Sequence, residues 1–117
     1  MSAIEVIFSG YFNEKLEALT RKYRKTPDVI EKVVETLMTG ELLGDKVPNV
    51  GYDVYKVRLS NPSANRGKSG GFRLIYYVRI AEQIVLISLY SKTEQSDIPI
   101  NELQRLINEY NASIWDE

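Results

Sequence analysis

The chain has 117 residues, 44% of them hydrophobic and 26% charged, with no cysteine, no histidine and a formal net charge of −1. That length fits one domain, residues 1–117, with a single modest core. The absent residue types exclude disulfides, thiolate or imidazole metal sites and a histidine general base, and the near-even charge excludes a generally basic nucleic-acid binder.

No apolar run approaches the ~20 residues of a membrane span. Met1-Ser2-Ala3-Ile4-Glu5 lacks the basic stretch of a signal peptide, so the expectation is a cytoplasmic protein with no membrane partner. Residues 3–8 alternate weakly and predict a short strand. Ser9 or Asn13 opens the next helix, in which Phe12, Leu16, Leu19 and Tyr23 form an apolar stripe. Glu14, Lys15, Glu17, Arg21 and Lys22 fall mostly outside that stripe. Lys25-Thr26-Pro27-Asp28 marks a restart: Thr26 can cap, Pro27 fits the first helical position and Asp28 suits the positive helix end. Ile30, Val33, Val34, Leu37 and Met38 make the second stripe, which Gly40 ends. These two helices should pair as an antiparallel hairpin.

Gly40, Gly44, Pro48, Asn49 and Gly51 make residues 40–52 a predicted loop. Residues 53–59 read as a strand, with Tyr55, Val57 and Leu59 on one face and Lys56 and Arg58 on the other. A polar loop over 60–66 leads to the stretch Gly67-Lys68-Ser69-Gly70-Gly71-Phe72-Arg73-Leu74-Ile75-Tyr76-Tyr77. Its glycines permit positive φ or a close backbone approach, and its aromatic and branched residues suit a strand, predicted over 72–80. Gly67-Lys68-Ser69 looks like the end of a P-loop. Pro62 stands where that motif needs glycine, however, and a strand follows where it needs a helix, so nucleotide binding is rejected. A tight turn over 81–83 leads to a strand over 84–90 and a polar exit over 91–97. Ile98-Pro99 then opens a last helix with the stripe Leu103, Leu106, Ile107, Tyr110 and Ile114.

The order is β-α-α-β-β-β-α, an α+β fold. Its three consecutive strands form an antiparallel sheet packed by an N-terminal helical hairpin and a C-terminal helix. The helices should cover the apolar face and leave the other face open for chemistry. Charge is unevenly spread: residues 1–55 carry −2, residues 56–92 carry +6 and residues 93–117 carry −5. Lys56, Arg58, Arg73 and Lys92 come from neighbouring strands of the cationic third, with Lys68 in the glycine loop. Clustered cations repel one another unless an anion joins them, which points to a phosphate partner. The plainer readings are a solvated sheet face or pairing with the acidic C-terminal helix.

Lys56-x-Arg58, the Gly67–Tyr77 stretch, Leu89-Tyr90-Ser91-Lys92 and Ile98 together resemble the RelE/ParE toxin superfamily, closest to its RelE and HigB-type branch. The likeness in element order covers nearly the whole chain, and the motifs lie within about residues 53–98. It implies a toxin of a type II toxin–antitoxin system that cleaves mRNA in the ribosomal A site without a metal or other cofactor. Its implied partners are a cognate antitoxin and the ribosome with its mRNA. By motif, Lys56 and Arg58 match the family's basic pair on the first central strand. Arg73 matches the arginine after the hairpin aromatic, Lys92 the basic position after the next strand, and Lys68 the lysine of a Gly-Lys-Ser-Gly-Gly variant. Two departures stand out. Thr93 follows Lys92 where RelE has a further arginine, and Ile98-Pro99 stands where RelE has a tyrosine. The acid–base assignment therefore does not carry over. The sequence pI of 5.6 is also low for a protein that sits in ribosomal RNA.

Metal-free RNA cleavage needs a base for the attacking 2′-OH, positive charge on the phosphorane and a proton for the leaving oxygen. Arginine fits the charge role, because it stays protonated and bonds two oxygens at once. A lysine serves as acid or base only if its neighbours lower its pKa. Tyr90 could donate a proton or stack a base, and Tyr76 reads as sheet packing. Two alternatives stay open at this point, a ParE-like toxin acting on DNA gyrase and a catalytically inactive family member.

Overall fold

A computed structural model describes residues 4–64, 70–80 and 82–115. The order is β1 (Glu5–Phe8), α1 (Gly10–Lys22), α2 (Thr26–Met38), β2 (Asp45–Val47), β3 (Asp53–Leu59), a 3-10 turn (Pro62–Ala64), β4 (Phe72–Ile80), β5 (Gln83–Ser91) and α3 (Ile100–Trp115). The strands form one sheet in the order β1-β5-β4-β3-β2. β2, β3, β4 and β5 pair antiparallel, and β1 joins β5 in parallel, so the sheet is mixed.

Local chemistry explains the element ends. Ser9 is the N-cap of α1, and its hydroxyl accepts the Phe12 amide at 3.1 Å. At α2 the N-cap position falls to Lys25. Thr26 is already helical and donates its hydroxyl to the Tyr23 carbonyl at 2.6 Å, so it does not cap as expected. Pro27 sits in the first turn, where its missing N–H has no cost. Gly40 takes φ +95° just past α2 and donates its amide to Leu37 O at 3.0 Å.

Two findings correct the sequence-based picture. Residues 40–52 contain the short edge strand β2, which pairs Asp45, Lys46 and Val47 with Lys56, Tyr55 and Val54. The sheet also has no bare face. On one side Val57, Phe72, Leu74, Tyr76, Leu86 and Leu89 pack with Phe12 and Leu19 of α1 and Ile30, Val33 and Leu37 of α2. On the other side Val54, Ile75, Tyr77, Val85 and Ile87 pack with Leu103, Leu106 and Ile107 of α3. From Phe72 to Tyr77 in β4 and from Ile84 to Tyr90 in β5 the apolar residues are buried on both faces, so these stretches read as near-continuous apolar runs. Three polar contacts pin α3. Tyr77 donates to Asn111 Oδ1 at 2.6 Å, Tyr52 to Asn108 Oδ1 at 2.8 Å, and Gln104 to Val50 O at 2.9 Å. What remains for chemistry is one end of the α3 face, where the strands run past Ile98 and the start of the helix.

Candidate functional site

At that end β3, β4 and β5 bring three side chains into one row. Arg58 pairs with Arg73, and Arg73 pairs with Tyr90. Residues directly opposite in an antiparallel pair point to the same face, so the row runs across the sheet. The next rung on the same face is Lys56–Ile75–Ser88. Strand alternation therefore places Lys56, Arg58 and Arg73 together, with Phe72 and Leu74 on the opposite core. Two arginines directly opposite each other repel, so packing alone does not favour the pair.

The row is graded in exposure. Arg58 is exposed, whereas Arg73 is only 5% exposed and Tyr90 only 3%. Arg73 Nη1 donates to its neighbour's carbonyl, Phe72 O, at 3.1 Å. No buried polar side-chain atom among the described residues lacks a partner. Close approach of the chains fixes the Arg73 backbone. A Cβ on Gly71 would fall inside the Leu59 carbonyl, so only glycine fits there. The amide of Lys92 then donates to Gly71 O at 2.8 Å, tying the end of β5 to the start of β4.

Past β5 the chain folds back on itself. The amides of Glu94 and Gln95 both donate to Ser91 O at 3.0 Å, and the Lys92 ammonium donates to Ser96 O. This turn returns Asp97 to the row. Its Oδ1 accepts the Ile98 amide at 2.9 Å and the Tyr90 hydroxyl at 3.3 Å, and lies 3.6 Å from Lys56 Nζ. The Ile98 hydrogen bond, then the charge of Lys56, the Tyr90 hydroxyl and the charge of Lys92 hold the Asp97 carboxyl below its usual range; partial desolvation opposes them. Burial first, then the Asp97 charge and hydrogen bond, push the Tyr90 phenol up to about 12 against the pull of Arg73. Tyr90 is therefore a neutral hydrogen-bond donor at physiological pH.

Of the six residues singled out in the sequence, the structure gathers Lys56, Arg58, Arg73 and Tyr90, and sets Lys92 in the turn beside them. Lys68 lies outside the described residues. Asp97 was missed: within residues 91–97 it reads as one more polar loop residue. The available signal was a lone acid just before the buried Ile98, since aspartate readily accepts the next amide. The acids Glu102 and Glu109 of α3 pair with Arg105 of the same helix. Lys56 takes its acid from the turn, in Asp97, and Lys46 pairs with Asp53 within the sheet. Tyr76 is core, as expected: it stacks on Tyr55 at 5.3 Å and donates to Leu43 O at 2.6 Å.

The family described as the RelE toxin of the RelE/RelB toxin–antitoxin system matches residues 11–114. The chain belongs to the RelE toxin family. Its fold is also that of a solved free-state structure of Escherichia coli toxin RelE, an arginine-to-alanine double mutant. The TM-score is 0.57 at 17% identity, covering 89% of this chain and 98% of that one. Membership makes this chain a toxin of a toxin–antitoxin system, and the RelE match spans every element that builds the row. Among the described residues no helix is long and apolar enough to cross a membrane.

Proposed function

We propose that this RelE-family toxin is a ribosome-dependent endoribonuclease that cleaves mRNA in the A site and so stops translation. The observation that carries the reading is the Arg58–Arg73–Tyr90 row with Lys56 beside it, a cationic end of the sheet with a neutral phenol at its edge. In this reading Arg73 stabilises the phosphorane, because a guanidinium held by the sheet bonds two oxygens without reorganising. Arg58, the exposed member, receives the incoming strand. Lys56, Lys92 and, from the glycine loop, Lys68 add positive charge around the scissile phosphate.

The step needs no water. The 2′-oxygen attacks phosphorus while its proton leaves to a base, and the bond from phosphorus to the 5′-oxygen breaks. That oxygen takes up a proton. The products are a 2′,3′-cyclic phosphate and a 5′-hydroxyl. Tyr90 keeps its proton and is the suited donor to the leaving oxygen, and Asp97 orients it. The donor set favours metal-free chemistry: the chain has no histidine or cysteine, and its acids lie mostly outside residues 56–92. A cognate antitoxin would neutralise the toxin by laying acidic or apolar side chains over this end of the sheet.

The test is cleavage of an mRNA on purified ribosomes, with the product ends identified. Cyclic phosphate and 5′-hydroxyl ends support the reading, whereas 5′-phosphate ends point to activated water and overturn it. In cells, pulse-labelling should show protein synthesis falling before DNA synthesis. The reverse order would favour a gyrase target.

A further inference from the structure

The row leaves unused the run Arg21-Lys22-Tyr23-Arg24-Lys25, four cations in five residues where α1 turns into α2. Tyr23 is taken by packing, edge-on to Phe72 at 5.8 Å. The four cations are exposed. Arg21 bridges Glu17 at 3.0 Å, and Lys22 pairs with Glu94 in the turn after β5. Arg24 and Lys25 have no ion pair among the described residues.

This corner adjoins the end of the sheet that holds the row. The Lys25 amide donates to Ser63 Oγ at 3.2 Å, in the 3-10 turn that follows β3. Beside that bond lies an open hollow of 640 Å³ lined by Lys22, Arg24, Lys25, Pro62 and Ser63. A second hollow of 300 Å³ lies between α1 and the end of β5, with Lys15, Lys22, Tyr90, Ser91 and Glu94 in its wall. Among the described residues β1 pairs with Gln83–Leu86, and no strand pairs with the last residues of β5 on that side. Lys22 lines both hollows, and Tyr90 of the row lines the second.

We propose that this corner is a second phosphate-binding surface, holding the RNA backbone that flanks the strand delivered to the row. It rests on the reading of the row as an RNA-cleaving site. A single anion needs one or two cations, whereas several at the rim of wide, open hollows suit a chain of phosphates. Flexible cations with no planar, buried geometry fix position rather than read bases. A phosphate would replace Glu94 as the partner of Lys22.

The test compares wild type with Arg24→Gln/Lys25→Gln, and with Arg105→Gln, an exposed cation on α3 that lines neither hollow. The probe is a fluorescent single-stranded oligoribonucleotide blocked from cleavage by 2′-O-methyl groups. Kd is read across a salt series, and the same wild-type protein is assayed for mRNA cleavage on ribosomes. Loss of two phosphate contacts should weaken binding and flatten the slope of log K against log salt by about 1.4, at ~0.7 per contact. Arg105→Gln should follow wild type. Unchanged affinity and slope in the double variant overturn the proposal, even where wild type cuts mRNA. A flattened slope with a wild type that cuts nothing upholds the surface and overturns the cleavage reading instead. Weaker binding to polyglutamate with unchanged RNA binding would assign the corner to an acidic protein and overturn the proposal.

Discussion

Asp97 collects a backbone amide, a phenol and an ammonium on a single oxygen, although its side chain is 64% exposed. An ion pair that open is worth at most about 1 kcal/mol, so its value is positional rather than stabilising. Its lowered pKa sets a sign. The contact is present above the ordinary carboxylate range and is lost as pH falls through Asp97's own lower value. Carboxylate NMR should show Asp97 titrating below the usual range of about 3.9. Lys56→Ala should move it only part of the way back, because the Ile98 amide is the largest cause. A midpoint in Lys56→Ala equal to wild type would mean that the pair does not form in solution. Tyr90→Phe removes the donor and leaves the ring, so single-turnover cleavage should fall about 10²-fold with little change in melting temperature. Full activity in that variant would take Tyr90 out of the mechanism.

The elements were legible to different degrees. Both N-terminal helices and α3 announce themselves by apolar stripes, and the Ser9 cap, Pro27 and Gly40 mark ends of α1 and α2. β2 was not legible, because only Val47 of its three residues is apolar and a short charged edge strand reads as loop. It exists because Gly44, at φ +88°, brings the backbone against the Lys56 carbonyl, where a Cβ would collide. The second covered face was not legible either. Alternation in β3 shows which residues share a side, but nothing local says where α3 docks. The basic residues of the site were readable by motif and alternation, whereas Asp97 arrives only through the fold of the turn. The glycines give a graded test. Gly71→Ala should lower the melting temperature and disturb Arg73, since its Cβ meets Leu59 backbone. Gly10→Ala, in open space at the start of α1, should be neutral or stabilise by up to about 1 kcal/mol. Equal melting temperatures would contradict the close β3–β4 approach. Phe72→Ala, from a fully buried ring, should cost about 3–5 kcal/mol.

At the scale of the molecule, a sheet covered on both faces leaves Tyr76, Tyr77 and Tyr90 buried. Burial raises the phenols of Tyr76, Tyr77 and Tyr90, the last two to about 12. A pKa raised in the folded state means stability that holds below the unfolded value of about 10 and declines as pH climbs through the folded values. Denaturant midpoints should therefore drop between about pH 10 and 12. Tyr77→Phe should flatten part of that drop, and a midpoint constant across the range would contradict the burial.

The same architecture concentrates positive charge at one end of an otherwise acidic chain, and the cleavage reading depends on that end. Single-turnover cleavage of mRNA on programmed ribosomes by Arg73→Ala and Arg73→Lys, with thermal unfolding of each, tests this most directly. Arg73→Ala should lose about 10²-fold or more while still unfolding cooperatively, and Arg73→Lys should recover only part, because an ammonium cannot bond two oxygens as a guanidinium does. Wild-type cleavage by a folded Arg73→Ala would contradict the placement of the active site at this row.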